Sequence, residues 1–161
     1  MTITLASIEA AQEKLTDDHA RINAMIEAFR KQPQSTQITI PAVTIPLAAG
    51  ERLAGAIHND DGTVAHYVIL LPGDVDDVTW QAAKDWASEQ GGELPSRREQ
   101  SLLYSNLKDE FEGAWYWSAE VHESNSGWAW CQSFTSGGQD STPQSDEFRA
   151  RAVRRFIPSV I

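Results

Sequence analysis

A single cysteine, Cys131, stands among 161 residues, which excludes an intrachain disulfide and any multi-cysteine zinc site. No apolar run approaches the roughly 20 residues that a membrane-spanning helix needs. Basic residues are scarce: 13 Lys and Arg stand against 23 Asp and Glu, a formal net charge of −10. Direct nucleic-acid binding and docking to an anionic lipid surface are therefore not expected, since both draw on basic surface. The four histidines, at 19, 58, 66 and 122, show no metal-ligand spacing. The opening Met1-Thr-Ile-Thr-Leu5 lacks the basic and continuous apolar stretches of a secretory signal. The expectation is synthesis in the cytosol with no membrane partner, and incorporation into a particle stays open.

What is present is apolar enough, at 41%, to build a core. Ile8, Leu15, Ile22 and Phe29 recur every seven residues, with Ala11, Met25 and Ile26 beside them and polar helix formers elsewhere. A stripe this narrow fits a coiled-coil seam better than the broad face of a globular helix. It predicts a helix over 1–32 that joins a dimer or trimer through Ile8, Leu15, Ile22, Met25 and Phe29, with Asp18 and His19 weakening its middle. A helix folded back on its own domain is the alternative. Residues 33–49 read as a linker with short strands at 38–40 and 43–45, and 50–161 as the main domain.

Within that domain, 52–57 and 64–71 flank Asp61-Gly62, a strong hairpin signal. Asp77-Val-Thr79 opens a helix to about Gln90, with Trp80, Ala83, Trp86 and Ala87 on one face and Gly91-Gly92 closing it. Ser96 and Glu99 form a capping box before a second helix, which runs to about Leu107 and buries Leu102, Leu103 and Leu107. The two arginines between Ser96 and Glu99 sit where a helix N-terminus attracts anions, although turn and cap roles explain the motif without a ligand. Residues 115–156 read as three or four strands joined by long polar loops. The order of strands, two helices and strands fits an α+β domain.

Four of the six tryptophans fall between 115 and 130, in a stretch from Asp109 to Glu147 with eight acidic residues and no Lys or Arg. Alternation puts Trp115 and Trp117 on one strand face, and Trp128, Trp130 and Phe134 on one face of another. Some of these rings must be core. The segments 120–127 and 136–146 are too polar to bury and suit recognition of a sugar or a protein surface. Cys131 lies in acidic surroundings that oppose thiolate formation, so it reads as structural. Arg149, Arg151 and Arg155, with Arg154 opposite, alternate with apolar residues along one strand and are expected to pair with the carboxylates of 109–147.

The elements Gly91-Gly-Glu-Leu-Pro-Ser-Arg-Arg-Glu99, Trp115-Tyr-Trp-Ser118, Trp128-Ala-Trp-Cys-Gln-Ser-Phe134, Gly137-Gly-Gln139 and Arg149-Ala-Arg-Ala-Val-Arg-Arg155 together resemble a phage and prophage family. Its members are similar to the C-terminal domain of Legionella collagen-like protein, within the superfamily of C-type lectins and formylglycine-generating enzymes. The resemblance covers about 50–157 and leaves the N-terminal helix outside. It implies a C-type-lectin-like domain of two helices and mainly antiparallel sheet, built to display loops, with no ligand specified. The cysteine pair of the formylglycine-generating enzymes is missing. So are the Glu-Pro-Asn and Trp-Asn-Asp elements of calcium-dependent lectins. No cofactor, metal or catalytic residue is expected.

The expected function is non-enzymatic binding of a host glycan or host protein by a phage-encoded, multivalent module. The candidate ligand residues are Trp117, Glu120, His122, Glu123, Asn125, Trp128, Trp130, Gln139, Asp140 and Gln144. A virion-associated role is one reading, after synthesis in the host cytoplasm. The alternative is an intracellular antagonist that blocks a host defence complex through its acidic surface.

Overall fold

The computed structural model describes residues 3–32 and 42–158, which fall in two compact units parting between Ile40 and Pro41. The strand expected at 38–40 lies outside the described residues. The first unit is helix α1, Leu5–Lys31. Thr4 and Ser7 cap its start reciprocally, and Arg30 and Lys31 sit in its last turn, where cations meet the negative end of the helix dipole. It runs unbroken through Asp18 and His19, and none of its residues is buried.

The second unit is a mixed α+β domain with two sheets. Strands β1 (Arg52–His58) and β2 (Val64–Leu70) form the expected antiparallel hairpin. The Asp61 carboxylate fixes its turn by accepting from the Thr63 N–H at 2.9 Å and the Thr63 hydroxyl. Residues 43–45 form no strand. Their segment is instead pinned where Arg154 donates to the Pro46 carbonyl and the Glu51 carboxylate.

A short strand, β3 (Val75–Val78), replaces the expected helix start at Asp77. Helix α2 (Trp80–Glu89) begins after it, with Trp80, Ala83 and Ala87 buried. Gly91, at φ 80°, reverses the chain after it, a conformation that costs other residues a clash at Cβ. Helix α3 (Arg97–Leu107) has the expected capping box, and a 3-10 turn (Lys108–Glu110) follows. Of the three leucines expected to be buried, Leu103 is fully so, while Leu102 and Leu107 pack at the edge of the same core.

The C-terminal part contains five strands rather than three or four: β4 (Trp115–His122), β5 (Asn125–Ser133), β6 (Gln139–Pro143), β7 (Phe148–Ala150) and β8 (Val153–Phe156). The larger sheet has the order β3-β7-β4-β5-β6, with β4 and β7 parallel, and the smaller is β1-β2-β8. Two expected loops are thereby corrected. Residues 120–127 are mostly strand, closed by the short turn at Glu123-Ser124. The segment 136–146 is interrupted by β6. The single arginine strand is also two strands, since the chain crosses from one sheet to the other at Arg151-Ala152.

Two cores result. On one face of β4–β5, the α2 residues Trp80, Ala83 and Ala87 pack on Trp117, Ala129 and Cys131. On the other, Leu103 of α3 packs on Tyr116 and Phe134 and on Val68, Leu70 and Val153 of the smaller sheet. Phe111 stacks on Phe134 with ring centroids 3.9 Å apart. Three of the four arginines of 149–155 do pair with carboxylates, but with ones outside 109–147 rather than those expected. Arg149 takes Asp74 and Asp76, Arg154 takes Glu51, and Arg155 takes Glu93 and Glu99. Arg151 donates to the carbonyls of Glu110 and Leu71. No described helix is long and apolar enough to cross a membrane.

Candidate functional site

The capping box of α3 sends its neighbouring side chains in opposite directions. Glu99 turns inward. It accepts from the Ser96 N–H at 2.7 Å, from Arg155 Nε and Nη2 at 2.6 and 2.8 Å, and contacts His66 Nε2 at 2.8 Å. Burial alone would push this carboxyl up, but the Arg155 bonds, the Ser96 N–H, the Arg155 charge and His66 together hold it at about 2. It ties α3 to both β2 and β8.

Arg97 turns outward, over β5 and β6. Its guanidinium lies 3.5 Å from the centroid of the Trp130 ring, a cation–π contact. Its Nε donates to Gln139 Oε1 at 3.0 Å, and its backbone N–H donates to Glu120 Oε1 at 2.8 Å. The Glu123 carboxylate stands 3.7 Å from Nη1. Gln139 Nε2 returns bonds to the Arg97 carbonyl and to Gln132 Oε1, both at 2.8 Å. His122 stacks on the Trp130 ring at 5.5 Å. Arg97, Arg98, Ser101, Glu120 and Gln139 line an open groove of about 320 Å³.

Half of the expected ligand residues therefore converge here: Glu120, His122, Glu123, Trp130 and Gln139. Trp130 differs from the expectation in one respect. Its ring is already stacked on by Arg97 and His122, while its buried indole N–H lies by the Glu123 carboxylate without reaching good hydrogen-bond geometry. The exposed Glu123 carboxyl lies below its ordinary range, held there first by its own backbone N–H and further by Trp130, His122 and Arg97.

The other candidates lie elsewhere. Trp117 is fully buried, with its indole N–H donated to the Val78 carbonyl at 2.8 Å, so it belongs to the core. Asn125, Trp128 and Gln144 form a second cluster: Gln144 Nε2 donates to the carbonyls of Ser126 and Trp128, and Asn125 Oδ1 accepts from the Gly127 N–H. Trp128 keeps an exposed ring. Asp140 pairs across from Cys131 and accepts from the Ser141 N–H. Cys131 itself is buried, and burial first, then the Asp140 charge, pushes its thiol up to about 12. Among the described residues no group of three His, Cys, Asp or Glu is placed to hold a metal.

From the sequence, Arg97 and Arg98 read only as an anion site at the helix start, set aside for cap and turn roles, and Ser101 is not among the candidates. The available signal was their position: Arg97 follows the N-cap directly, and Ser101 lies one turn later on the same helix face. The helix N-terminus is not an open anion site, because the Glu120 and Glu99 carboxylates already occupy its first N–H groups. Compared with known proteins, the chain matches no protein-family model and no curated protein.

Proposed function

We propose that this chain is a non-enzymatic, phage-encoded binding module with a C-type-lectin-like domain, whose α3–β5–β6 groove recognises a host glycan or host protein. Display in several copies follows from a coiled coil formed through α1. The observation that carries the reading is the combination at Trp130. The half-buried Trp130 ring, held by Arg97 and His122 with its indole N–H only loosely engaged by the Glu123 carboxylate, stands beside a groove whose wall alternates guanidinium, carboxylate, hydroxyl and carboxamide groups.

The mixed charge selects the class of ligand. Glu120 and Glu123 repel a simple anion, whereas neighbouring donors and acceptors fit the hydroxyls of a sugar or a polar protein surface. The exposed Trp128 ring offers a stacking surface on the same strand face. The sealed thiol of Cys131 is a poor nucleophile, which supports binding rather than turnover.

The test is a host-envelope glycan array beside a pull-down from host lysate, using the full-length chain, Arg97→Ala and Glu120→Gln. Glycan or envelope binding that falls at least tenfold in both variants is the expected result. Capture of one intracellular complex, unaffected by these variants but lost when exposed acidic residues are neutralised, replaces the reading with defence antagonism.

A further inference from the structure

Helix α1 carries a second register that the seven-residue repeat of isoleucine, leucine and phenylalanine conceals. Because the helix starts at Leu5 and continues without a break to Lys31, Leu5, Gln12, His19 and Ile26 form a row beside Ile8, Leu15, Ile22 and Phe29. The two rows alternate by three and four residues, the spacing of a and d positions in a coiled coil. Leu5, Ile8, Leu15, Ile22 and Ile26 are all exposed, Leu5 and Leu15 by 71% and 70%. The seam is apolar at both ends and polar at its two central a positions.

That arrangement determines which neighbour fits. We infer that α1 packs against other copies of itself in parallel and in register, with Gln12 and His19 each facing their own counterparts. The inference rests on the multivalent reading above and adds its orientation. In an antiparallel pair overlapping along the whole seam, Gln12 would face Ile22 and His19 would face Leu15. Each polar side chain would then be buried against an apolar one without a partner, at a cost the parallel pairing avoids. Asp18 would also be brought beside its own copy, a like-charge contact. In parallel, the polar layers meet polar layers and the apolar layers meet apolar ones. Polar residues at a positions set register in this way, at some expense in stability.

The C-terminal half of the helix is its more continuous apolar stretch. Ile22, Met25, Ile26, Phe29 and Arg30 border an apolar surface groove of about 440 Å³. Parallel packing makes every chain leave the bundle at the same end, so the attached domains engage one target surface together.

The test uses full-length Ile8→Cys and Ile26→Cys chains, separately and mixed, in a glutathione redox buffer, with sedimentation of the wild type alongside. Cys131 is buried and does not compete, which the wild-type lane controls. The expected result is an oligomer in which 8–8 and 26–26 disulfides form and 8–26 disulfides do not. An oligomer dominated by 8–26 disulfides overturns the parallel orientation while leaving multivalency intact. An oligomer forming neither overturns this seam as its interface. A monomer overturns self-assembly itself, and groove binding is then judged separately.

Discussion

The two faces of the β4–β5 hairpin carry similar residues and meet opposite fates. On the α2 side, Trp117 is fully buried and donates its indole N–H to Val78, while Trp80 donates to Ser118 at 2.8 Å. On the α3 side, Trp130 is packed by Arg97 and His122, and its N–H is only loosely engaged by the exposed Glu123 carboxylate. Ring burial occurs in both places, so tryptophan content alone does not distinguish core from site. The difference lies in the polar tip. Where a backbone carbonyl fixes it, the ring is locked into the core; where only an exposed carboxylate lies near it, the ring is held less firmly.

The sharpest way to break this contrast is to remove each ring. Trp117→Ala should cost about 3–5 kcal/mol in chemical denaturation, and Trp130→Ala about 1–2 kcal/mol, for the lost cation–π contact and a share of burial. Equal losses would erase the distinction. Next in size is the acid response. The Glu99 carboxyl is held at about 2 in the folded chain against about 4.3 unfolded, so its contribution of about 3 kcal/mol is present above pH 4.3 and disappears as pH falls through 2. Glu99→Gln should flatten that part of the stability–pH curve measured by thermal melting. Little flattening would mean that Glu51, also held at about 2 by Arg154, dominates acid unfolding.

Arg97→Ala should destabilise by only about 1 kcal/mol, chiefly the cation–π contact and the Gln139 bond, yet reduce ligand binding at least tenfold by calorimetry. A large stability loss with unchanged affinity would return Arg97 to the structural side. The smallest expected effect is at Cys131. With its thiol pushed up to about 12, a native sample at pH 8 should show almost no reaction with a thiol reagent over an hour, and full reaction once unfolded. Rapid native labelling would show that the α2 side is less sealed than its packing implies.

Local signals in the sequence were reliable where one or two residues dictate a geometry. Asp61-Gly62 marked its hairpin, Ser96 and Glu99 their cap, and Gly91 the end of α2. The failures came where partners distant in sequence override local character. Strand β3 has two aspartates in four residues, and its Asp77-Val78 end reads as a helix start, but Arg149, more than 70 positions away, pairs with Asp76 and fixes it beside β7. Asn125 and Ser126 look like turn residues and are the start of β5. Gln139 to Pro143 is too polar to read as a strand, and it forms one because β5 supplies five paired positions. The groove was half legible for the same reason. Glu120, His122, Glu123, Trp130 and Gln139 were recognisable by type, whereas Arg97 is brought to Trp130 only by the packing of α3.

The step at Arg151-Ala152, where the chain passes from one sheet to the other, also governs the order in which the domain can be completed. Strand β7 is the neighbour that joins β3 to β4, and β8 is the partner that closes β2. During synthesis, both sheets therefore wait for the same nine residues, 148–156, which emerge after every other strand. Helix α1 forms from local contacts and has no such delay. If α1 self-associates as proposed, the N-terminal helices of neighbouring nascent chains would meet while each main domain still lacks its last two strands, and assembly would precede completion of the parts being assembled.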